Sequence, residues 1–241
     1  MNYQDFELKE YSSANERLWE TSKAFPVLMR KVYVWMTLAL TITGFTAYGV
    51  ATSPGLMQAI LTNQALFWGL IIAEFALVIG VSAAINRLSL ATATLMFILY
   101  SVVNGATLSV IFLAYSLASI ATVFFITAGT FAAMAFVGYT TKTDLSSMGK
   151  IILMALIGLI IATIVNVFMK SAVFDLILSY VGVLVFVGLT AYDSQKIKQM
   201  LLQAPDAGEA AQKVALLGAL SLYLDFVNLF LYLLRIFGKR D

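Results

Sequence analysis

Seven long apolar stretches constrain the fold of this chain more than any other feature. Each is close to the length of about 20 residues that a helix needs to cross roughly 30 Å of hydrocarbon. None alternates with a period of two, and an isolated strand would leave its backbone polar groups unpaired in lipid. The sequence therefore predicts an all-α integral membrane protein, a seven-transmembrane-helix bundle. The predicted spans are residues 32–51, 65–84, 90–114, 117–139, 151–169, 174–193 and 214–236.

The composition agrees with a membrane protein and excludes several other classes. Hydrophobic residues make up 61% of the 241 residues and charged residues only 12%, which is more apolar surface than a soluble domain can bury. The chain has neither cysteine nor histidine, which excludes disulfides, thiolate sites and histidine bases or ligands. The net charge of +2 is too small to indicate nucleic-acid binding. We expect one membrane domain over residues 32–236, with a tail over 1–31 and a short tail over 237–241.

The amino-terminal segment 1–31 is polar and mixed in charge. No apolar core follows a short basic start, so a cleavable secretory signal is not expected. We predict a solvated cytoplasmic tail with a short amphipathic helix at the membrane surface, which would use Leu18, Trp19 and Phe25. Partner binding is the alternative role of this segment.

The distribution of Lys and Arg predicts the orientation in the membrane. These residues are more frequent on the side of the amino terminus, which the positive-inside rule places in the cytoplasm, with the carboxyl terminus outside. The basic carboxyl end leaves open a re-entrant last helix that returns both ends to the cytoplasm. No organelle address is visible and the tails are minimal, so we expect a multi-pass protein of a bacterial inner membrane.

Small residues at helical spacing predict where helices approach closely. Gly129 and Ala133 form one such pair, which would let a neighbouring backbone pack against the fourth span. Asn104 is expected to hydrogen bond across helices or within its own turn.

Two apolar spans each carry one aspartate, Asp193 in the sixth and Asp225 in the seventh. A carboxylate at the bilayer centre costs about 2.5–3.5 kcal/mol on insertion scales, so it normally faces the protein interior and marks an ion or proton path. Two carboxylates on consecutive helices indicate one shared site. Asp193 lies near the end of its span, so a meeting requires the sixth helix to continue towards Lys198 or the seventh to start near Ala210.

Three further residues are candidates for the same site. Glu74 lies inside the second span and is either a structural carboxyl or an acidic step on an ion route. Asn228 follows Asp225 by three residues and shares its helix face. Arg87 ends the second span, where it either reaches towards water or pairs with Asp225 through its guanidinium fork.

Three segments of the chain resemble the Bax-inhibitor family, also called transmembrane Bax-inhibitor-motif proteins. They are GLTAYDSQKIK at 188–198, LYLDFVNLF at 222–230, and Gly138-Tyr139 followed by Thr143-Asp144-Leu145-Ser146. The resemblance implies a seven-helix bundle with the last helix central, and a pH-sensitive calcium leak in which Asp193 and Asp225 are the sensor. It also implies that Arg87 is a gating latch to Asp225 and that Glu74 lines the route.

Electrostatics supports the same interpretation of Asp193 and Asp225. Two carboxyls close together in a low-dielectric interior share a proton and titrate in two steps. A protonated pair would hydrogen bond and hold the two helices closed, whereas a doubly ionised pair would repel itself and offer oxygen ligands to Ca²⁺. We therefore expect acid to close the path and alkaline conditions or Ca²⁺ to open it. The partners are then Ca²⁺ as the transported ion, protons and the lipid bilayer, with no cofactor.

Other functions compete with a calcium leak. An intramembrane aspartyl protease of the presenilin type also has an aspartate on each of two consecutive helices, but it expects Gly-x-Gly-Asp where this chain has Leu222-Tyr223-Leu224-Asp225. We therefore do not expect an enzyme. A membrane interaction protein that regulates a protease or a cell-death or stress pathway remains an alternative, as does a proton-coupled Ca²⁺ exchanger.

Overall fold

The computed structural model describes the backbone of residues 3–239 and the side chains of residues 23–239. Within this range the chain is helical and contains no strand. A five-residue 3₁₀ segment, Ser109–Leu113, follows α4. The α-helices are α1 Tyr3–Ala51, α2 Pro54–Thr62, α3 Gln64–Ala84, α4 Leu90–Leu108, α5 Leu117–Thr140, α6 Ser146–Met169, α7 Ala172–Leu202 and α8 Glu209–Phe237.

The predicted fold class is confirmed. Seven helical segments in the described range are long and apolar enough to cross a membrane: α1 from Lys23 onward, α4 together with the 3₁₀ segment, and each of α3, α5, α6, α7 and α8. Helix α2 was not predicted, because its nine residues are too few to cross a bilayer. Pro54 begins it at a position where the missing N–H has no helical partner to lose.

Helix α8 is the centre of the bundle. Of the residues in its apolar window 67% are buried, compared with 6% in both α3 and α6. Its neighbours are α7, α1, α5 and α4. A last helix at the centre, which the family resemblance implied, is therefore what the structure shows.

Helix α1 extends on the amino-terminal side of residue 32, where the first apolar span was predicted to begin. Helix α1 is continuous through Pro26, and Ala24 and Leu28 are already buried in the bundle. Phe25, which was expected at the membrane surface, stacks on Tyr139 of α5 with ring centroids 6.4 Å apart. Charged residues interrupt this part of the sequence, so apolar run length alone does not indicate these contacts. The predicted surface residues Leu18 and Trp19 lie outside the described side chains.

The predicted close packing at Gly129 and Ala133 is wrong, because this face of α5 is exposed. A Cβ added at Gly129 would meet no atom within 4 Å. The close approach occurs instead at Gly138, where the added Cβ would clash with the backbone carbonyl of Ala191 on α7. Gly149 of α6 meets α7 in the same way, against the ring of Tyr192. Helix α7 is thus held between α5 and α6 by direct contact at two glycines.

We predict that Gly138→Ala destabilises the protein. The new methyl group would press on backbone that cannot rotate away, so we expect a loss of about 1–3 kcal/mol or more in the free energy of unfolding. Thermal unfolding in detergent measures it. Gly129→Ala on the same helix is the matched control and should leave stability unchanged or slightly raised; equal losses in the two variants would contradict the packing described here.

The orientation can be tested directly because the chain has no cysteine. With the amino terminus in the cytoplasm, Thr62→Cys at the end of α2 should react with a membrane-impermeant thiol reagent added outside intact cells. Asp206→Cys, between α7 and α8, should react only in inverted vesicles. Labelling of both positions from one side would reject the predicted topology.

Candidate functional site

The lengths of α7 and α8 bring Asp193 and Asp225 together. Helix α7 continues to Leu202 and α8 starts at Glu209, so both helices extend as far as a meeting of the two residues requires. The two helices pack along each other, and the carboxyl groups of Asp193 and Asp225 lie close enough to interact electrostatically. We call these two residues the aspartate pair.

The two members of the aspartate pair have different surroundings. Asp225 is 5% exposed, and its Oδ2 is completely buried without a hydrogen-bond partner. Asp193 is half-buried, and Lys196, one turn further along α7, acts on its charge. The hydroxyl of Ser194 is also buried without a partner. An unpaired buried carboxylate oxygen is costly, so Asp225 can be accommodated by binding a proton or a cation.

The structure places Glu74 in a different cluster. Its Oε1 is buried without a hydrogen-bond partner, and its carboxyl lies beside the side chains of Asn104 and Thr107 on α4. It also interacts electrostatically with Tyr223 of α8. Glu74 therefore approaches α8 from the side of α4, whereas Asp193 approaches it from α7.

Among the described side chains, neither Asn228 nor Arg87 forms a hydrogen bond or an ion pair with the aspartate pair. The Asn228 amide donates to the carbonyl of Leu224, one turn earlier on α8, at 2.8 Å. Arg87 is exposed in the turn between α3 and α4, and the ion pairs among the described side chains do not join it to Asp225. The gating-latch role of Arg87 and the ion-pathway role of Asn228 stay predictions.

A buried polar network joins α1, α4 and α8, and the sequence analysis did not identify it as a unit. Its members are Thr43, Ser101, Asn104 and Tyr223, all buried. Thr43 Oγ1 lies 2.9 Å from the carbonyl of Ser101 and 2.7 Å from the hydroxyl of Tyr223. That hydroxyl is 3.0 Å from Asn104 Oδ1, which confirms the predicted hydrogen bond of Asn104 across helices. Hydroxyl residues in apolar spans give no periodic signal, so only coordinates bring them together.

The proton count of the polar network restricts the orientation of Asn104. Thr43 and Tyr223 carry one hydroxyl proton each, yet they take part in three contacts. All three can be hydrogen bonds only if Asn104 presents its amide nitrogen to Tyr223. The amide oxygen of Asn104 would then be free to accept a hydrogen bond from the Glu74 carboxyl when that group is protonated.

Comparison with known proteins identifies one family model and several bacterial relatives that match most of the chain. A family model described as "Inhibitor of apoptosis-promoting Bax1" matches residues 26–241. The inner membrane protein YbhL of Escherichia coli is 51% identical over 213 residues, which cover 88% of this chain and 91% of YbhL. An uncharacterized protein of Borreliella burgdorferi is 44% identical over 212 residues, covering 88% and 91% of the two chains. Another from Deinococcus radiodurans is 41% identical over 213 residues, covering 88% and 90%.

We predict that Tyr223→Phe destabilises the bundle. The ring keeps its edge-to-face contacts with Phe97 and Tyr100, whose centroids lie 5.8 Å and 5.6 Å away, and only the hydroxyl is lost. Thr43 and Asn104 then lose a partner, so we expect a loss of about 1–2 kcal/mol. Thermal unfolding measures it. The control is Tyr180→Phe on the exposed face of α7, and a Tyr223→Phe protein as stable as this control would show that the hydroxyl of Tyr223 contributes nothing to stability.

Proposed function

Because the chain belongs to the Bax-inhibitor family of membrane proteins, we propose that it is a calcium leak channel whose opening is controlled by protonation of the aspartate pair. The relative YbhL is described as an inner membrane protein, and we propose the same location for this chain. The observation that carries the proposal is the buried, unpartnered Oδ2 of Asp225, whose carboxyl interacts with that of Asp193 on the adjacent helix.

The conformation described here has the features of a closed state. Beyond the aspartate pair, the ring of Tyr232 on α8 packs against Gly182 and stacks on Phe186 of α7, with centroids 5.8 Å apart. At the far end of the same interface Arg235 and Asp175 form an ion pair at 3.4 Å. These contacts join α7 and α8 on one side of the aspartate pair, and we propose that ion passage requires the two helices to separate.

The aspartate pair supplies a reason for that separation to depend on pH. When the pair holds at least one proton, one carboxyl can hydrogen bond to the other and the helices stay together. When both are ionised, the like charges repel, and for any two charges separated by about 4 Å this repulsion is about 4 kcal/mol at an effective dielectric constant near 20. This energy corresponds to a change of more than a hundredfold in an equilibrium between closed and open forms. Acid therefore closes the path and alkaline conditions open it.

The aspartate pair offers few oxygen ligands, which suits a Ca²⁺ ion that passes through more than one that stays bound. Among residues 23–239 no group of three His, Cys, Asp or Glu side chains converges to hold a metal ion. Ca²⁺ usually takes six to eight oxygen ligands, so the aspartate pair would provide only part of the shell and water the rest. A site of this kind binds weakly and releases its ion readily, as a leak requires.

The proposal predicts a pH-dependent Ca²⁺ flux that needs both aspartates. Wild-type protein in liposomes with a trapped calcium indicator should admit Ca²⁺ faster as pH rises, by roughly tenfold or more across the titration of the pair. Asp193→Asn and Asp225→Asn should each abolish this dependence, because an amide cannot ionise. Asp206→Asn, which removes an exposed carboxylate from the connection between α7 and α8, is the matched control and should retain it.

Each possible result has a distinct meaning. Flux that keeps its pH profile in both pair variants would falsify the gate. Wild-type protein that passes no Ca²⁺ alone would favour the interaction protein, which would act through a protease or a cell-death or stress pathway. Accumulation of Ca²⁺ against its gradient, driven by a proton gradient, would favour the exchanger.

A further inference from the structure

The half of α7 that carries Asp193 is attached to the connection between α5 and α6 through the side chain of Gln195. Gln195 is 6% exposed. Its Oε1 accepts the backbone N–H of Leu145 at 2.8 Å, and its Nε2 donates to the backbone carbonyl of Thr143, also at 2.8 Å. We call these two hydrogen bonds the Gln195 bridge. Both ends of one buried amide are thus used on a single short loop.

Other contacts hold the same part of α7 from the same side. Lys198 donates to the carbonyl of Tyr139 at 2.7 Å, and its ammonium lies 5.0 Å from the centre of the Tyr139 ring. Ala191 and Tyr192 pack against the glycines of α5 and α6 described above. Residues 191–198 are therefore fixed to α5, to α6 and to the loop between them.

Helix geometry puts the Gln195 bridge behind the aspartate pair. Successive residues of an α-helix are about 100° apart, so Gln195 and Asp193 point in nearly opposite directions around α7. Asp193 points towards α8 and Asp225, whereas Gln195 points towards the loop. A rotation of α7 that turns Asp193 away from α8 therefore carries the Gln195 side chain away from the loop and breaks the Gln195 bridge.

We propose that Gln195 is a positioning residue for the aspartate pair: through its hydrogen bonds to Thr143 and Leu145 it keeps Asp193 within interaction distance of Asp225. The bridge resists displacement because breaking it leaves a backbone N–H and a backbone carbonyl without partners. The expected effect of Gln195 on Ca²⁺ passage rests on the proposed function. The expected effect of Gln195 on the electrostatic coupling between the two carboxyls is independent of the proposed function.

Other charged groups near this end of α7 also act on the aspartate pair or lie close to it. The main charge acting on Asp193 is Lys196, and the main charge acting on Asp225 is Asp193. Hydrogen bonds from Ser146 hold the pKa of the Asp144 carboxyl in the loop below its ordinary value, so Asp144 is ionised at neutral pH and adds no titration step there. The other titratable or charged side chains on the elements packed around this end of α7 include Tyr33, Tyr139, Lys142, Lys150, Tyr192 and Lys198, together with Lys23, Arg30 and Lys31 of α1 and Glu209 and Lys213 of α8.

The test compares Gln195→Met with Gln203→Met. Methionine matches glutamine in length and removes only the hydrogen bonds, and Gln203 is an exposed residue at the end of the same helix. Hydrogen exchange in lipid nanodiscs reports on the Leu145 amide, which we expect to exchange roughly fivefold faster or more in Gln195→Met. Infrared titration reports on the carboxylic acid bands of the pair, identified by their loss in Asp193→Asn and Asp225→Asn.

In Gln195→Met we expect the two titration steps of the aspartate pair to move closer together, because a displaced Asp193 interacts less with Asp225. Gln203→Met should titrate like wild type. Faster exchange at Leu145 with unchanged infrared titration would overturn the proposal, since Gln195 would then only fasten the loop. If Gln195→Met does not fold, Gln195→Asn, whose side chain is too short to reach both backbone groups, should give the same infrared shift.

Calcium flux separates the failure of this proposal from the failure of the leak. An infrared shift in Gln195→Met without pH-dependent flux in wild type supports the positioning role and rejects the channel. Where wild type does show that flux, Gln195→Met should admit Ca²⁺ several-fold faster at acid pH, and an unchanged acid flux in this variant counts against the positioning role.

Discussion

A carboxyl group without a hydrogen-bond partner for one of its oxygens, buried in the central helix of a membrane bundle, is the constraint on which the rest of this structure depends. Asp225 cannot face lipid, so α8 must be surrounded by protein, and four other helices surround it. The group also needs a proton, a cation or a second carboxyl with which it shares a proton. Helix α7 supplies the last of these because it continues well past Asp193.

Helix α8 carries polar groups on two opposite faces, which explains its central position. Tyr223 and Asp225 are two residues apart and thus about 200° apart around the helix. Tyr223 hydrogen bonds towards α1 and α4, whereas Asp225 interacts with Asp193 on α7. A helix at the edge of the bundle would expose one of these groups to hydrocarbon. The two faces also keep Glu74 and the aspartate pair in separate surroundings.

The sequence predicts this fold well where the signal is local, and the site only in part. Run length gives the seven spans, and two acids in apolar runs mark the pair. Run length gives no sign that α1 already packs against the bundle at Ala24 and Leu28, because charged residues interrupt this part of the sequence. It also cannot say which face of α5 meets a neighbour, so Gly129 is wrongly favoured over Gly138. The roles of Gln195 and Tyr223 depend on contacts with residues far away in the chain, and no spacing rule indicates them.

The uneven burial of the helices has a consequence for how the chain tolerates substitution. Helices α3 and α6 turn most of their side chains to lipid, where any apolar side chain is solvated about equally well. Side chains of α8 meet protein atoms of fixed shape on nearly every side. Substitutions should therefore accumulate at the lipid-facing positions of α3 and α6, where side chains of many shapes fit the bilayer. The residues of α8, at the centre of the bundle, should change more slowly.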